Sequence, residues 1–125
     1  MVLSDRDIRK AIKDGRLFID PYEDTLVQPA SIDLRLGSTA YRMRASFLPG
    51  PNCTVREKIE SFGLHQIDLT GGAVLETGCV YLVPLLESLA LSDGISGVAN
   101  PKSSTGRLDV FIRLVTDQAP DFDVV

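Results

Sequence analysis

The spacing of apolar residues is helical at the start of the chain and alternating afterwards. Apolar side chains between Ile8 and Ile12 share one face of a helix. Ser4 and Asp7 fit a capping box, which would satisfy amide groups at the first turn. Gly15 fits the position that follows the last helical residue. These signals predict an amphipathic helix over residues 5–14.

Beyond Gly15, apolar and polar residues alternate over short segments, as they do in β-strands. The clearest case is residues 31–37, where Ile32, Leu34 and Leu36 would face one side and the polar residues the other. Other strands are predicted at residues 17–19, 39–43, 66–69, 73–75, 79–82, 88–91, 95–99 and 110–115. Residues 46–63 combine a Pro-Gly-Pro-Asn turn with a charged stretch, and we expect a loop with at most one helical turn there.

Many short strands and a single helix predict a mainly β fold, a barrel or sandwich with one amino-terminal helix. A chain of 125 residues can bury one hydrophobic core, so residues 1–125 are expected to form a single domain. Phe122, Val124 and Val125 resemble the beginning of a further strand. We therefore expect the domain to continue beyond residue 125.

The composition of the chain argues against several classes of function. The net charge of −4 and the pI near 4.9 argue against sequence-independent nucleic-acid binding, which needs a basic face. No apolar run reaches the length of a membrane span, and the amino terminus lacks a secretory signal. Cys53 and Cys79 have no paired spacing and are expected to be reduced thiols. We expect a cytoplasmic protein with no nucleic-acid polymer and no membrane among its partners.

The densest cluster of anion-binding groups lies between Asn100 and Asp109. It contains two cations, three hydroxyl groups and a glycine that lets a ligand approach the backbone: Lys102, Arg107, Ser103, Ser104, Thr105 and Gly106. These residues favour a phosphate-binding loop. A solvated turn with surface charges explains the same composition equally well.

Several other kinds of site are poorly supported. Pro101 and Ser96 occupy the places where a Walker A motif needs glycine. His65 is the only histidine and no Pro-Cys-x-x-Cys run is present, so the zinc-deaminase signature is missing and no metal ligand is assigned. No Gly-x-Ser-x-Gly motif supports a serine hydrolase.

Asp33 is the second candidate site residue. It lies on the polar side of the predicted strand, beside Arg35. Its carboxylate could order a ligand hydroxyl or a water-bridged Mg²⁺, or it could be structural, as an ion pair or as a buried hydrogen-bonded carboxylate. The residues alone leave these alternatives open.

Two segments together resemble the dCTP deaminase branch of the dUTPase-like superfamily. Residues 28–37 (Gln-Pro-Ala-Ser-Ile-Asp-Leu-Arg-Leu-Gly) resemble its first motif, and residues 102–108 (Lys-Ser-Ser-Thr-Gly-Arg-Leu) its second. The opening helix and the Gly15-Arg-Leu turn match as well. The sequence of residues 100–117 is most similar to the corresponding segment of long, two-repeat bacterial deaminases. The resemblance implies a β-clip fold and a homotrimer, or a pseudo-trimer, with active sites at the interfaces.

The resemblance also implies a chemistry, namely zinc-free hydrolysis of dCTP to dUTP and ammonia, with Mg²⁺ bound through the substrate triphosphate. Ser103 and Arg107 fall on the family's catalytic serine and arginine. Lys102 stands at a phosphate-binding basic position, and Ser104 would add a phosphate hydrogen bond. Asp33 falls on the aspartate of the first motif and joins the substrate- and phosphate-binding set. The general base, a glutamate, is expected beyond residue 125.

Three other functions share this fold and loop. They are a dUTP diphosphatase, a bifunctional enzyme that deaminates dCTP and cleaves the triphosphate, and a non-catalytic nucleotide-binding or assembly module.

The expected position of the base gives a first prediction. The isolated 125-residue chain should bind nucleotide weakly and should not turn over, because it would lack the carboxylate that activates water. An assay of ammonia release from dCTP checks this, and measurable deamination by the isolated chain would refute it.

Overall fold

The computed structural model describes residues 1–47, 50 and 52–115, and the backbone of residues 122–123. A 3-10 turn, Asp24–Leu26, lies between the first two strands. The helices and strands in chain order are α1 (Asp5–Lys13), β1 (Leu17–Asp20), β2 (Val27–Gln28), β3 (Ser31–Ile32), β4 (Thr39–Met43), α2 (Val55–Phe62), β5 (Gly63–Asp68), β6 (Val80–Leu82), β7 (Ser88–Leu91), β8 (Gly97–Val98), α3 (Ser103–Gly106) and β9 (Phe122–Asp123). The described residues are thus mainly β with an amino-terminal helix, as predicted.

The strands form several small sheets. β4 is the middle strand of an antiparallel sheet with the order β5-β4-β6, and β1 pairs antiparallel with β7. β2 and β3 form a short antiparallel pair, whereas β8 and β9 are parallel. The β1–β7 pairing brings residues 17–20 against residues 88–91, which lie far away in sequence.

The amino-terminal helix begins where the sequence predicts. The Ser4 hydroxyl accepts a hydrogen bond from the Asp7 backbone N–H at 3.3 Å and donates to the Asp7 carboxylate at 2.7 Å. Gly15 follows the helix with φ +70°, a conformation that glycine adopts without steric cost. Both termini of α1 are therefore set by local signals.

The main core joins this helix to two strands. Ile8 and Ala11 of α1 pack with Leu17 and Ile19 of β1 and with Val27 of β2, and all five are buried. Burial of such side chains stabilises the fold by about 1.5–3 kcal/mol each for the larger residues. The helix is consequently packed against β1 and β2, the strands on either side of the 3-10 turn.

The regular strand predicted over residues 31–37 is not formed. Only Ser31 and Ile32 pair as β3, followed by one isolated bridge between Leu36 and Leu85, and Leu36 is 61% exposed. Around that bridge the Leu86 N–H donates to the Arg35 carbonyl and the Gly37 N–H to the Pro84 carbonyl, both at 2.8 Å, but the Arg35 N–H donates to the Glu87 side chain at 2.8 Å. The Glu87 carboxylate thus takes the place of one backbone acceptor, and the pairing does not extend into a regular strand.

The loop predicted over residues 46–63 is wrong for its second half. Residues Val55–Phe62 form α2, which begins with a full capping box. The Thr54 hydroxyl accepts from the Glu57 N–H at 3.2 Å, and the Glu57 carboxylate accepts from the Thr54 N–H at 2.7 Å. The charges that suggested a loop form the solvated face of a short helix.

Two further predicted strands are absent from the described residues, those at 73–75 and 110–115. Val74 is 89% exposed and lies between Gly72 and Gly78, which both have positive φ. Phe111 is 91% exposed. Phe122 does begin a short strand, while Val124 and Val125 lie outside the described residues.

Glu87 is the one buried charged residue of the described chain, and its side chain is fully inaccessible. Its carboxylate accepts from the Arg35 backbone N–H at 2.8 Å and from the Arg35 guanidinium at 2.7 Å. Burial raises the pKa of Glu87, but the hydrogen bonds to its carboxylate and the positive charge of Arg35 together outweigh burial, and the pKa lies below its ordinary range. Arg35 also pairs with Glu23, which is half exposed.

This geometry predicts a large and specific loss of stability in Glu87→Gln. The amide leaves one Arg35 donor facing an NH₂ group and removes the charge that compensates the guanidinium, so urea unfolding at pH 7 should show a free energy of unfolding lower by about 3 kcal/mol. Glu23→Gln, which contacts the same guanidinium from an exposed position, should change it by less than about 1 kcal/mol. Equal effects would contradict the assignment.

The lowered pKa of Glu87 also fixes the sign of the pH dependence. Its contribution is complete above the unfolded pKa of about 4.3 and is lost as the pH falls through the lower folded value. The wild type should therefore lose more stability than Glu87→Gln over that acidic range.

Candidate functional site

The anion-binding segment predicted from residues 100–109 folds as one tight helical turn. The Thr105 and Gly106 N–H groups donate to the Lys102 carbonyl at 2.9 and 3.2 Å, and the Arg107 N–H donates to the Ser103 carbonyl at 3.0 Å. Lys102 stands at the N-cap of α3. The shape of this turn is therefore held by backbone hydrogen bonds.

The same turn is closed at its carboxyl end by Asp109. Asp109 has φ +58°, a left-handed conformation that aspartate and asparagine tolerate better than most residues. Its N–H donates to the Gly106 carbonyl at 3.0 Å. We call residues 102–109 the cationic turn.

The polar side chains of the cationic turn face solvent. Lys102, Ser103, Ser104 and Arg107 are all exposed, whereas Thr105 is half-buried. The side chains of Ser103, Ser104 and Arg107 form no hydrogen bond or ion pair with the residues that the structure describes. Two cations and two hydroxyls are thus presented on one short segment, as an anion site requires.

The structure brings the two sequence motifs into direct contact. The Lys102 ammonium lies 2.7 Å from Asp33 Oδ2, across 69 residues of sequence. The Gln28 amide donates to the same oxygen at 3.2 Å. Asp33 therefore forms an ion pair, but with Lys102 and not with Arg35, its neighbour in sequence.

Asp33 is held in place by its own segment. Its backbone N–H donates to the Leu26 carbonyl at 2.9 Å. Two residues further on, Arg35 is fixed by the buried Glu87. The carboxylate that meets Lys102 consequently sits on a well-anchored stretch of backbone.

The turn before Asp33 is anchored from the other side. Arg9 of α1 binds Asp24 through two nitrogens, at 2.7 and 3.2 Å, and Tyr22 donates to the same carboxylate at 2.8 Å. The Arg9 guanidinium, together with the Tyr22 hydroxyl, lowers the pKa of Asp24. Charged at neutral pH, Asp24 ties the 20–33 segment to the helix.

Sequence reasoning missed two residues of this arrangement. Gln28 was noted only as the start of a motif, and Glu87 was not singled out. Glu87 did carry a signal, since it is a lone charge within the apolar run Leu85-Leu-Glu-Ser-Leu89. A charged residue at such a position is buried only when it is paired.

The remaining candidate groups do not converge on the cationic turn. Cys79 is a reduced thiol near the Arg42 guanidinium, with Sγ and Nη2 3.0 Å apart, and His65 is exposed opposite Arg42 on β5. Within the described residues, no three His, Cys, Asp or Glu side chains group as metal ligands. None of the helices described is long and apolar enough to cross a membrane.

A family model matches the whole of residues 1–125. Its description is 2′-deoxycytidine 5′-triphosphate deaminase (DCD) N-terminal domain. The chain belongs to this family. The resemblance seen in the two motifs is thereby confirmed.

Individual proteins that are similar to this chain support the same family. The chain is 41% identical over 108 residues to proteins named "dCTP deaminase, dUMP-forming" from Mycobacterium sp. (strain KMS) and Mycobacterium tuberculosis (strain ATCC 25618 / H37Rv), which covers 86% of this chain and 56% of each relative. A solved structure of 2′-deoxycytidine 5′-triphosphate deaminase from Agrobacterium tumefaciens is 57% identical, with a TM-score of 0.84 over 99% of this chain and 36% of that one. The mainly β, dUTPase-like fold is confirmed. The chain spans about half the length of the Mycobacterium relatives.

Proposed function

We propose that this domain forms part of the active site of a dCTP deaminase, which hydrolyses dCTP to dUTP and ammonia for pyrimidine deoxynucleotide synthesis. The observation that carries the proposal is the 2.7 Å contact between Lys102 and Asp33, because it joins the two family motifs beside exposed Ser103 and Arg107. Membership of the deaminase family supports the choice of reaction.

The cationic turn would bind the triphosphate. Lys102 offers a compact charge with three donors, and the Ser104 hydroxyl adds one more. Lysine lacks the planar fork of arginine, so its phosphate contact would depend less on direction. Mg²⁺ is proposed to be carried by the phosphate oxygens, its usual ligands in nucleotide sites, with Lys102 neutralising the oxygens it leaves.

The reaction requires water to add at C4 of cytosine, a proton to reach N3, and the C4–N bond to break with release of ammonia. We propose that Ser103 aligns the water and that Arg107 orients the carboxylate that removes its proton. A carboxylate does this at neutral pH when a dry pocket raises its pKa. That base is proposed to come from residues beyond this chain or from a neighbouring subunit.

The wider setting is also a proposal. We infer a homotrimer, or a pseudo-trimer within a two-repeat polypeptide, in which residues 1–125 are one domain and the site lies at an interface in a cytoplasmic enzyme. The exposure of Ser103 and Arg107 supports this, since water must be excluded from them by another surface before they can act on a substrate. Neither nucleic acid nor membrane is among the proposed partners.

The catalytic assignment predicts a loss of turnover in two variants of the full-length protein. Ser103→Ala and Arg107→Ala should each lower kcat for dCTP deamination by at least about 100-fold, the usual contribution of a group that acts in proton transfer. Arg56→Ala removes another exposed arginine, from α2, and should leave kcat unchanged. Ammonia release, with circular dichroism as a check on folding, measures this. Full activity in both site variants would end the assignment and favour a non-catalytic module.

A bifunctional enzyme is the second candidate, because the Mycobacterium relatives carry the name dUMP-forming. The Agrobacterium relative, named only as a deaminase, is more similar to this chain. We therefore expect dUTP to accumulate from dCTP without pyrophosphate. Chromatography of the products decides, and dUMP together with pyrophosphate would establish the bifunctional reaction.

A further inference from the structure

We propose that Asp33 is a positioning residue that competes with phosphate for Lys102 and so sets the affinity of the cationic turn for polyphosphate ligands. The inference rests on the proposed function, since it assumes that this turn binds phosphate. It gives Asp33 a role different from direct contact with the substrate.

The two side chains of the ion pair differ in how freely they can move. Asp33 is 24% exposed and receives hydrogen bonds at its carboxylate from Gln28 and Lys102, while its backbone is tied to Leu26. The Lys102 side chain is 63% exposed and ends a flexible stem. Lys102 is therefore the partner that can turn toward a ligand, and Asp33 is the fixed anion it turns away from.

The charges make the two anions rivals. A carboxylate 2.7 Å from the ammonium cancels most of its field toward an approaching phosphate. A phosphate oxygen bonded to the same ammonium would also lie close to Asp33, and two like charges at that range repel. Binding must therefore offset the lost ion pair where Lys102 turns away, or this repulsion where it does not.

The segment that carries Asp33 does not depend on the ion pair for its shape. Arg35 is fixed by Glu87, and the Asp33 N–H is fixed by Leu26. Asparagine has the same outline as aspartate and still offers an oxygen acceptor. Asp33→Asn is thus expected to remove the charge and keep the fold.

The chain offers a matched control. Asp109 ends the same turn, is exposed, and has φ +58°, where asparagine is tolerated. Asp109→Asn removes the same unit of charge from the neighbourhood of the turn without touching the Lys102 ion pair. Any effect common to both variants is a general effect of net charge.

The test is calorimetric titration of sodium tripolyphosphate into the full-length wild-type protein and the variants Asp33→Asn, Asp109→Asn and Lys102→Ala. We expect Asp33→Asn to bind about 3- to 10-fold more tightly, with the gain shrinking as salt screens the charges. Asp109→Asn should stay within about 2-fold of wild type because its charge is exposed and solvated. Lys102→Ala should bind weakly.

Each outcome decides something. Weaker or unchanged binding by Asp33→Asn would overturn the inference, as would an equal gain in Asp109→Asn. A wild type that does not bind tripolyphosphate would overturn the phosphate site and the inference with it. If Asp33→Asn tightens binding while Ser103→Ala and Arg107→Ala remain fully active, the inference stands and the catalytic proposal fails.

Turnover gives an independent readout. A competing anion acts on binding more than on the chemical step, so Asp33→Asn should lower KM for dCTP by a larger factor than it changes kcat. A direct ligand of the sugar or base would give the opposite result, a higher KM.

Discussion

The carboxylate of Glu87 is buried without solvent and is balanced by a single residue, Arg35, which reaches it with both its backbone and its side chain. Removing such a charge from water is costly, and only well-directed hydrogen bonds and an opposite charge offset that cost. The position of Arg35 is consequently fixed to within hydrogen-bond tolerance. The fixed position of Arg35 in turn constrains the backbone of the 33–37 segment.

Asp33 is the site residue that this constraint positions. The backbone around Asp33 is held at Leu26 on one side and at Arg35 on the other, and Arg9 fixes the preceding turn through Asp24. The cationic turn, by comparison, approaches with an exposed lysine. A fixed anion thus meets an adjustable cation, and the constraint on the anion originates at the buried Glu87, 52 residues away in sequence from Arg35.

The sequence was informative where the deciding signal was local. The helix α1, with its Ser4 cap and Gly15 stop, and the strand β7 could be predicted because periodicity and capping act within a few residues. The 31–37 segment could not, because its alternation is that of a full strand while its pairing is interrupted at Arg35 by the side chain of the distant Glu87. Residues 55–62 show a missed local signal, since the Thr54 and Glu57 capping box was readable.

The site followed the same division. The chemistry of the cationic turn and the candidate Asp33 could be read from residue types and from family resemblance. The contact between them could not, because a 69-residue separation carries no periodic signal. Without the fold, the nearest cation to Asp33 was Arg35, which the structure assigns to Glu87 instead.

The cationic turn owes its shape to carbonyl and amide groups, with Thr105 as its half-buried residue and Asp109 in a conformation that several small polar residues accept. Its outward side chains are therefore not needed to maintain the shape of the loop. Substitution at those positions can alter charge and donor pattern while the scaffold persists. The backbone sets the shape of the turn and the outward side chains set its chemistry. Evolution can therefore adapt such a turn to different phosphorylated ligands by substituting those side chains, without a change of fold.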